Sequence, residues 1–396
     1  MLKLENCLET IRNSRMRKKE YTFIDLFAGC GGLSLGIEQA GFSTIFFNEI
    51  MPVYASTYLK NRSIPEGHYF IGDINELNNR IEEFEHIWKR KEDGVDLVCG
   101  GPPCQGFSIA NRQRVIDDPR NNLYKAFLTF LRAVRPKFFI MENVKGMAQR
   151  IDEIKENFRD YMGNEYQFDF RILKAQDFGV PQNRERLIFI GNRIGVSPKD
   201  IFDRIDKAKR TSFVLRDALE GLPSLLPRPE KNKGELEDIR YGLTERDFSY
   251  PNTPFYHFIN GDKIITKLYN HKNRYNNPRD IEIFRRLPQG ANSLHESIAD
   301  IMPYGRRNDI FKDKYFKLNE DQICKTITSH MKFDCNMYIH PWEARGLSPR
   351  EAARIQTFPD DYILCGAQNS WYAQVGNAVP VKLAEAIGCS IMEFLS

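Results

Sequence analysis

The chain has no Cys-x-x-Cys pair, no internal repeat, no low-complexity tract and no long apolar run. Its uninterrupted apolar stretches, such as Phe138–Met141, fall far short of the roughly 20 residues needed to cross a bilayer, so a membrane span is excluded. The early segment turns basic at Arg15–Lys19 with no apolar signal core behind it, and secretion is therefore not expected. Eight cysteines scattered through 396 residues read as reduced thiols of a cytoplasmic protein. An excess of one charge is missing too: 57 Lys and Arg against 53 Asp and Glu leave a net +4, a weak pointer to nucleic acid. Apolar residues make up 41% and charged residues 28%, an ordinary globular balance with enough chain for two domains.

From Tyr21 to about Gly191 short apolar runs alternate with helical segments. The spacing predicts strands at Thr22–Phe27, Thr44–Asn48, Val95–Cys99 and Lys137–Met141, with helices at Leu33–Ala40 and Leu123–Val134. That rhythm is α/β, a Rossmann-like, mostly parallel sheet. Tyr166, Phe168, Phe170 and Ile172 alternate with polar residues, and Leu187–Ile190 follows too closely for a crossover helix, so the last strand should be antiparallel. From Asn192 to Tyr338 the rhythm fails. Prolines accumulate (Pro223, Pro227, Pro229, Pro251, Pro254, Pro278, Pro288, Pro303), and 12 Lys/Arg against 7 Asp/Glu between Asn260 and Lys317 give a local 12 − 7 = +5. So long a stretch reads as a second, smaller domain. The expected division is 1–191, 192–344 and a return to the first domain over 345–396, with helices at Ser348–Gln356 and Pro380–Phe394.

The unusual residues fall at the mouths of the strands. The first strand runs through Asp25-Leu26-Phe27-Ala28-Gly29-Cys30-Gly31-Gly32 into a helix, a turn whose amides can approach a ligand. Gly-x-Gly-Gly lacks the third glycine of the dinucleotide fingerprint, which argues against a pyrophosphate and an NAD-dependent oxidoreductase. Glu49, 20 residues after Gly29, suits ribose hydroxyls, and Asp73 could accept from an adenine amine. The pocket is thus expected to hold an adenosine with another substituent. The third strand leads into Gly100-Gly101-Pro102-Pro103-Cys104-Gln105-Gly106-Phe107-Ser108, a rigid frame around one thiol at a ligand-binding edge. Glu142 closes the fourth strand, and Arg184 and Arg186 precede an antiparallel strand that brings them to the same cleft. Cys324, His330, Cys335 and His340 match no common zinc spacing, so no metal is expected.

These strings, followed by Arg345-Gly-Leu-Ser-Pro-Arg-Glu-Ala-Ala-Arg-Ile-Gln-Thr-Phe-Pro-Asp360 and Gly376-Asn-Ala-Val-Pro-Val381, resemble in content and order the DNA (cytosine-5)-methyltransferases. The resemblance covers roughly 21–191 and 345–396. It implies S-adenosylmethionine as cofactor, double-stranded DNA as partner and a monomeric enzyme of bacterial restriction-modification type, acting on a site that a cognate endonuclease would otherwise cut. It implies Cys104 as the nucleophile at carbon-6, Glu142 on ring nitrogen-3 and the exocyclic amine, and Arg184 and Arg186 on the carbonyl oxygen or a phosphate. It further implies a cofactor site of Phe27 (adenine stacking), Gly29, Gly31, Gly32, Leu33, Glu49, Ile50, Asp73, Ile74, Pro102, Asn377, Ala378 and Val379. The loop after Cys104, with Ser108, Arg112, Arg114 and Arg120, should close over the DNA.

The variable region of the family falls in the small domain, where side chains that can pair with base edges cluster: Asn270, His271, Asn273, Arg274, Asn276, Asn277 and Arg279. Of these, His271, Asn273, Arg274 and Arg279 are the candidate DNA readers. Two other readings share features with this one. A tRNA cytosine methyltransferase would carry a Cys-Phe-Thr tripeptide, absent here, and a catalytically dead DNA-binding regulator would not need Cys104, Glu142 and Arg184 together.

Overall fold

The computed structural model describes residues 20–89, 94–103, 123–228, 230–231, 237–303 and 314–396. In chain order the elements are β1 (Tyr21–Leu26), α1 (Gly32–Gln39), β2 (Phe42–Glu49), α2 (Pro52–Lys60), β3 (Tyr69–Ile71), α3 (Ile74–Asn79), α4 (Ile81–Trp88), β4 (Leu97–Gly100), α5 (Leu123–Val134), β5 (Phe138–Val144), α6 (Ile151–Met162), β6 (Gln167–Lys174), β7 (Glu185–Asn192), α7 (Pro198–Lys207), α8 (Leu215–Leu219), β8 (Gly242–Asp247), α9 (Pro254–Asn260), β9 (Lys267–Lys272), α10 (Pro278–Arg286), α11 (Pro349–Ile355), α12 (Gln368–Asn377) and α13 (Val381–Met392). Among the described residues seven strands make one sheet in the order β3-β2-β1-β4-β5-β7-β6. The first five run parallel; β7 is antiparallel to both β5 and β6. The strand inserts itself between its two neighbours, and its amino end therefore meets the carboxyl ends of the parallel strands.

Central strands are apolar on both faces because helices cover both. Ile24, Leu26, Val98, Phe139 and Phe189 pack one face with α5 and α6, while Phe23, Leu97, Phe138, Ile188 and Ile190 pack the other with α1 and α13. Helix α7 belongs to that second layer: its Ile201, Phe202 and Ile205 are fully buried with Ile188 and Ile387. The expected division at residue 191 therefore cuts through a packed core.

The smaller region is a two-stranded antiparallel sheet, β8 with β9, and short helices. Several prolines that look like breakers are helix starts. Pro198, Pro254, Pro278 and Pro349 each open a helix, where the missing N–H is not needed. Asn277 and Thr253 cap two of these helices, and Ser348 with Glu351 forms a capping box on a third. Helices α8 and α9 share an apolar cluster with α11 and α12. Among the described residues no helix is long and apolar enough to cross a membrane.

Candidate active site

Three loops meet at the carboxyl edge of β1, β2 and β3. Phe27 leaves β1 with a left-handed backbone (φ 55°), a conformation that costs a non-glycine residue energy and is held by its surroundings. The turn continues through Gly29 (φ 57°) and Gly31 (φ 82°) into α1. A Cβ on Gly29 would meet nothing within 4 Å among the described residues, whereas one on Gly32 would fall 2.6 Å from the Val379 carbonyl. Among the described residues the front of the turn is open, and its side is packed on the Ala378–Val379 segment. Glu49 is buried at the end of β2, where its carboxylate accepts from the Gly29 N–H (2.7 Å) and the Met51 N–H (2.8 Å). Burial raises its pKa, and the three neighbouring amides of Met51, Gly29 and Ile50 oppose that rise.

Beside it Ile50 and Ile71 are exposed apolar side chains at the ends of β2 and β3. Asp73 spends Oδ1 as the cap of α3, accepting from Asn75 N–H at 2.7 Å. Leu33 and Ile74 are buried in the core, so only their backbones can face this edge. Asn377 is exposed at the end of α12.

The second part of the site lies between β4, β5 and β7. Register pairs Val144 with Arg186, so Glu142 and Arg186 are diagonal neighbours on one face. Arg186 Nε donates to Glu142 Oε1 at 2.6 Å, and both side chains are nearly closed off from water (13% and 12% exposed). Burial lowers the Arg186 pKa, with Glu142 pulling it back up. A Cβ on Gly101 would lie 3.0 Å from Glu142 Oε2, so the glycine lets the loop pass close to the acid. Asn143 Nδ2 donates to the Pro102 carbonyl (2.9 Å) and fixes where that loop leaves the sheet. Cys104, Ser108, Arg112 and Arg114 lie outside the described residues.

Arg184 does not reach the cleft. Its side chain is enclosed, with Nη1 donating to the Ile327 carbonyl (2.7 Å) and Nη2 to the Ala378 carbonyl (2.8 Å). Burial pushes its pKa well below the usual arginine range, and Arg186 adds to the effect. Its guanidinium ties β7 to two distant segments. The same junction is reinforced by Asn183 N–H to the Cys324 carbonyl and Ile327 N–H to Gln182 Oε1, both 2.8 Å.

The expected DNA readers divide in the same way. His271 is solvent-inaccessible, bound to Ser348 Oγ (2.9 Å) and the Pro223 carbonyl (2.7 Å). Asn273 is fully buried and donates to the Leu226 carbonyl. Arg274 is turned inward onto the Met331 and Phe333 carbonyls (2.6 and 2.9 Å) and lies over the Tyr372 ring. These three are joints of the protein, because polar side chains on a buried strand end must bond to neighbouring backbone. Asn270 is likewise buried, whereas Arg279 stays half-exposed on α10. His330, weighed in the sequence only as a metal ligand, and Lys332 and Phe333, which the sequence did not single out, are exposed side chains just beyond the segment that Arg184 anchors. A basic-aromatic trio after a run of small polar residues was the available signal.

Residues 21–393 match the family model described as C-5 cytosine-specific DNA methylase. The chain is 32% identical over 382 residues to the Type II methyltransferase M1.HphI of Haemophilus parahaemolyticus, covering 94% of this chain and 87% of the relative. It is 31% identical to the Type II methyltransferase M.Eco47II of Escherichia coli, covering 96% and 81%. A crystal structure from Escherichia coli of a chain assigned as a prophage-encoded DNA modification methyltransferase superposes with a TM-score of 0.73 at 25% identity, covering 95% and 99%. The S. pombe Dnmt2 methyltransferase shares the fold at 16% identity, with a TM-score of 0.54 over 95% and 100% of the chains.

Proposed function

The chain belongs to the C-5 cytosine-specific DNA methylases and methylates cytosine at carbon-5 in a restriction-modification setting, and we propose that it does so through Cys104, Glu142 and Arg186. The observation that carries this assignment is the Glu142–Arg186 pair set against Gly101 and the pinned Pro102 carbonyl, two residues before Cys104. Carbon-5 of cytosine is too weak a nucleophile to take a methyl group unaided. Addition of the Cys104 thiolate at carbon-6 converts the ring to an enamine and makes carbon-5 nucleophilic. Glu142 holds ring nitrogen-3 and the exocyclic amine and delivers a proton as negative charge develops there. Arg186 fixes that carboxyl through their 2.6 Å contact and faces the base carbonyl. Once carbon-5 carries the methyl group, loss of its proton to water or a base restores the ring double bond and expels the Cys104 thiolate. A stacked base cannot enter so enclosed a pair, so the cytosine must be flipped out of double-stranded DNA.

Family membership implies S-adenosylmethionine, which supplies an electrophilic methyl group on a sulfonium. The chain fits such a group on its own geometry: an open glycine turn, a buried acid beside it and two exposed isoleucines that offer an apolar face to a purine. Glu49 would hold the ribose with its remaining lone pairs, Asp73 Oδ2 the adenine amine, Phe27, Ile50 and Ile71 the ring, with Ile74 offering only its backbone there, and Asn377 with Ala378 and Val379 the amino-acid end. Gly29, Gly31, Gly32, Leu33 and Pro102 contribute backbone. DNA would lie against the smaller region, with Arg279, His330, Lys332 and Phe333 as contacts and Ser108, Arg112 and Arg114 closing from the other side. Methylation would shield the site from a cognate endonuclease in the cytoplasm.

The experiment is a covalent trap. DNA with 5-fluorocytosine at the target blocks the elimination step, so the wild type should form a complex stable to denaturation. Cys104→Ala should form none and methylate nothing; an active Cys104→Ala enzyme would overturn the mechanism.

A further inference from the structure

The glycine turn after β1 is held from behind by side chains with no part in the chemistry above. Tyr362 is buried, and its hydroxyl donates to the Cys30 carbonyl. Arg62 donates from Nη2 to the Gly31 carbonyl (3.0 Å), from Nη1 to the Tyr362 hydroxyl (2.9 Å) and from Nε to Glu38 (2.8 Å). Glu38 is steadied in turn by Thr44 at 2.6 Å. The guanidinium sits 4.0 Å over the ring of Tyr58, whose hydroxyl donates to Ser34, and Ser34 donates to Asp25 beneath the turn.

Every nitrogen of that guanidinium has its own acceptor, a fork that an ammonium cannot reproduce. Its side chain is only 5% exposed, so water does not compete for these bonds. Two consecutive carbonyls are thereby fixed on the rear of the turn. Because a trans peptide is planar, pinning the Gly31 carbonyl rearward turns the Gly32 N–H forward. Fit behind the turn is close: a Cβ on Gly31 would fall 2.6 Å from Arg62 Nη1.

Tyr362 comes from the far end of the chain and is held in place independently. Asn61 brackets the next residue, Ile363, donating to its carbonyl and accepting from its N–H, both at 2.8 Å. Arg350 holds the carbonyls of Pro359 and Tyr362. A hydroxyl delivered by so constrained a segment is a fixed post against which the turn is set.

We propose that Arg62 and Tyr362 are positioning residues that set the glycine turn for the nucleoside cofactor, so that its affinity depends on two side chains that never touch it. This rests on the cofactor site proposed above. Titration calorimetry with S-adenosylhomocysteine reads affinity without turnover. Tyr362→Phe keeps the ring and removes the post, and should weaken binding about fivefold, as for a neutral hydrogen bond. Arg62→Lys loses the fork and should weaken binding on the order of tenfold. In kinetics the KM for S-adenosylmethionine should rise in parallel while kcat at saturation stays within about twofold. A merely structural role would instead lower the melting temperature and the active fraction, leaving the affinity of the folded fraction unchanged. Glu49→Ala runs alongside. If it loses affinity while Tyr362→Phe and Arg62→Lys keep wild-type binding, the clamp is refuted and the site stands. If Glu49→Ala binds like wild type, the site assignment itself fails. Tyr362→Phe decides should Arg62→Lys not fold.

Discussion

Replacing Glu351 with Gln keeps shape and removes one charge from the buried knot that ties α11 to the chain leading into it. Glu351 is 1% exposed and accepts from Arg345 Nη1 (2.8 Å), Arg345 Nη2 (2.6 Å) and the Ser348 N–H (2.7 Å). Burial alone would raise its pKa, but Arg345 and His340 outweigh it and hold the carboxyl well below the usual range. Removing one partner of a buried ion pair costs about 3–5 kcal/mol, because the other charge stays buried. Arg345 keeps Glu343 at 2.5 Å, so the low end, about 3 kcal/mol, is expected. Urea unfolding at pH 7.5 gives the difference. The triple variant Arg345→Met/Glu351→Leu/Glu343→Gln leaves no charge of the cluster unpaired and should be less destabilised than Glu351→Gln alone. A loss under about 1 kcal/mol for Glu351→Gln, or a triple variant worse than the single, would refute this account.

His271 titrates near 4 through burial, so below pH 6.5 the unfolded chain takes up a proton that the folded chain refuses, and folding weakens as pH falls from 6.5 towards 4. Asp25, raised to about 7 by burial, acts in the opposite sense, so the test is the stability difference between wild type and His271→Gln. That difference should shift against the wild type by about 1.4 kcal/mol per pH unit in this window; a constant difference would contradict it. Arg184→Met should lower stability while leaving the salt dependence of DNA binding unchanged, since its guanidinium is spent on backbone carbonyls. A slope of log K against log salt reduced by about one would show Arg184 to be a phosphate contact after all.

The α/β half was legible because its signals are local. Apolar strands ending in Gly, Pro or acid appear where expected, and the antiparallel β7 follows from the short link after β6. What stayed hidden was β7 slipping between β5 and β6, since pairing partners leave no local mark. In the smaller region the prolines misled. Pro254 and Pro278 hide the helical period in the sequence, yet each occupies the first turn of a helix behind a Thr or Asn cap. The polar cluster at 270–279 misled for another reason. Composition cannot tell an Asn or His that faces a groove from one that closes a buried backbone gap, as His271 does for the Pro223 carbonyl.

The same ambiguity governs the arginines. Arg184, Arg228, Arg345, Arg350 and Arg354 are among the largest fully buried side chains. Arg184 joins β7 to 327 and 378, Arg350 joins β9 to the 359–362 segment, and Arg354 joins Asp360 to the Glu220 carbonyl. Each link crosses between parts of the chain far apart in sequence. Apolar contacts at such a joint would be tolerant of sliding, whereas a planar fork with several acceptors holds only near one arrangement. In the reaction proposed above, the acid, the arginine and the cofactor turn come from separate strands, and an offset on the order of 1 Å among them would cost about a hundredfold in rate. On that argument the buried arginines fix geometry as well as stability, and Arg184, two residues before Arg186, fixes the chain that leads into β7.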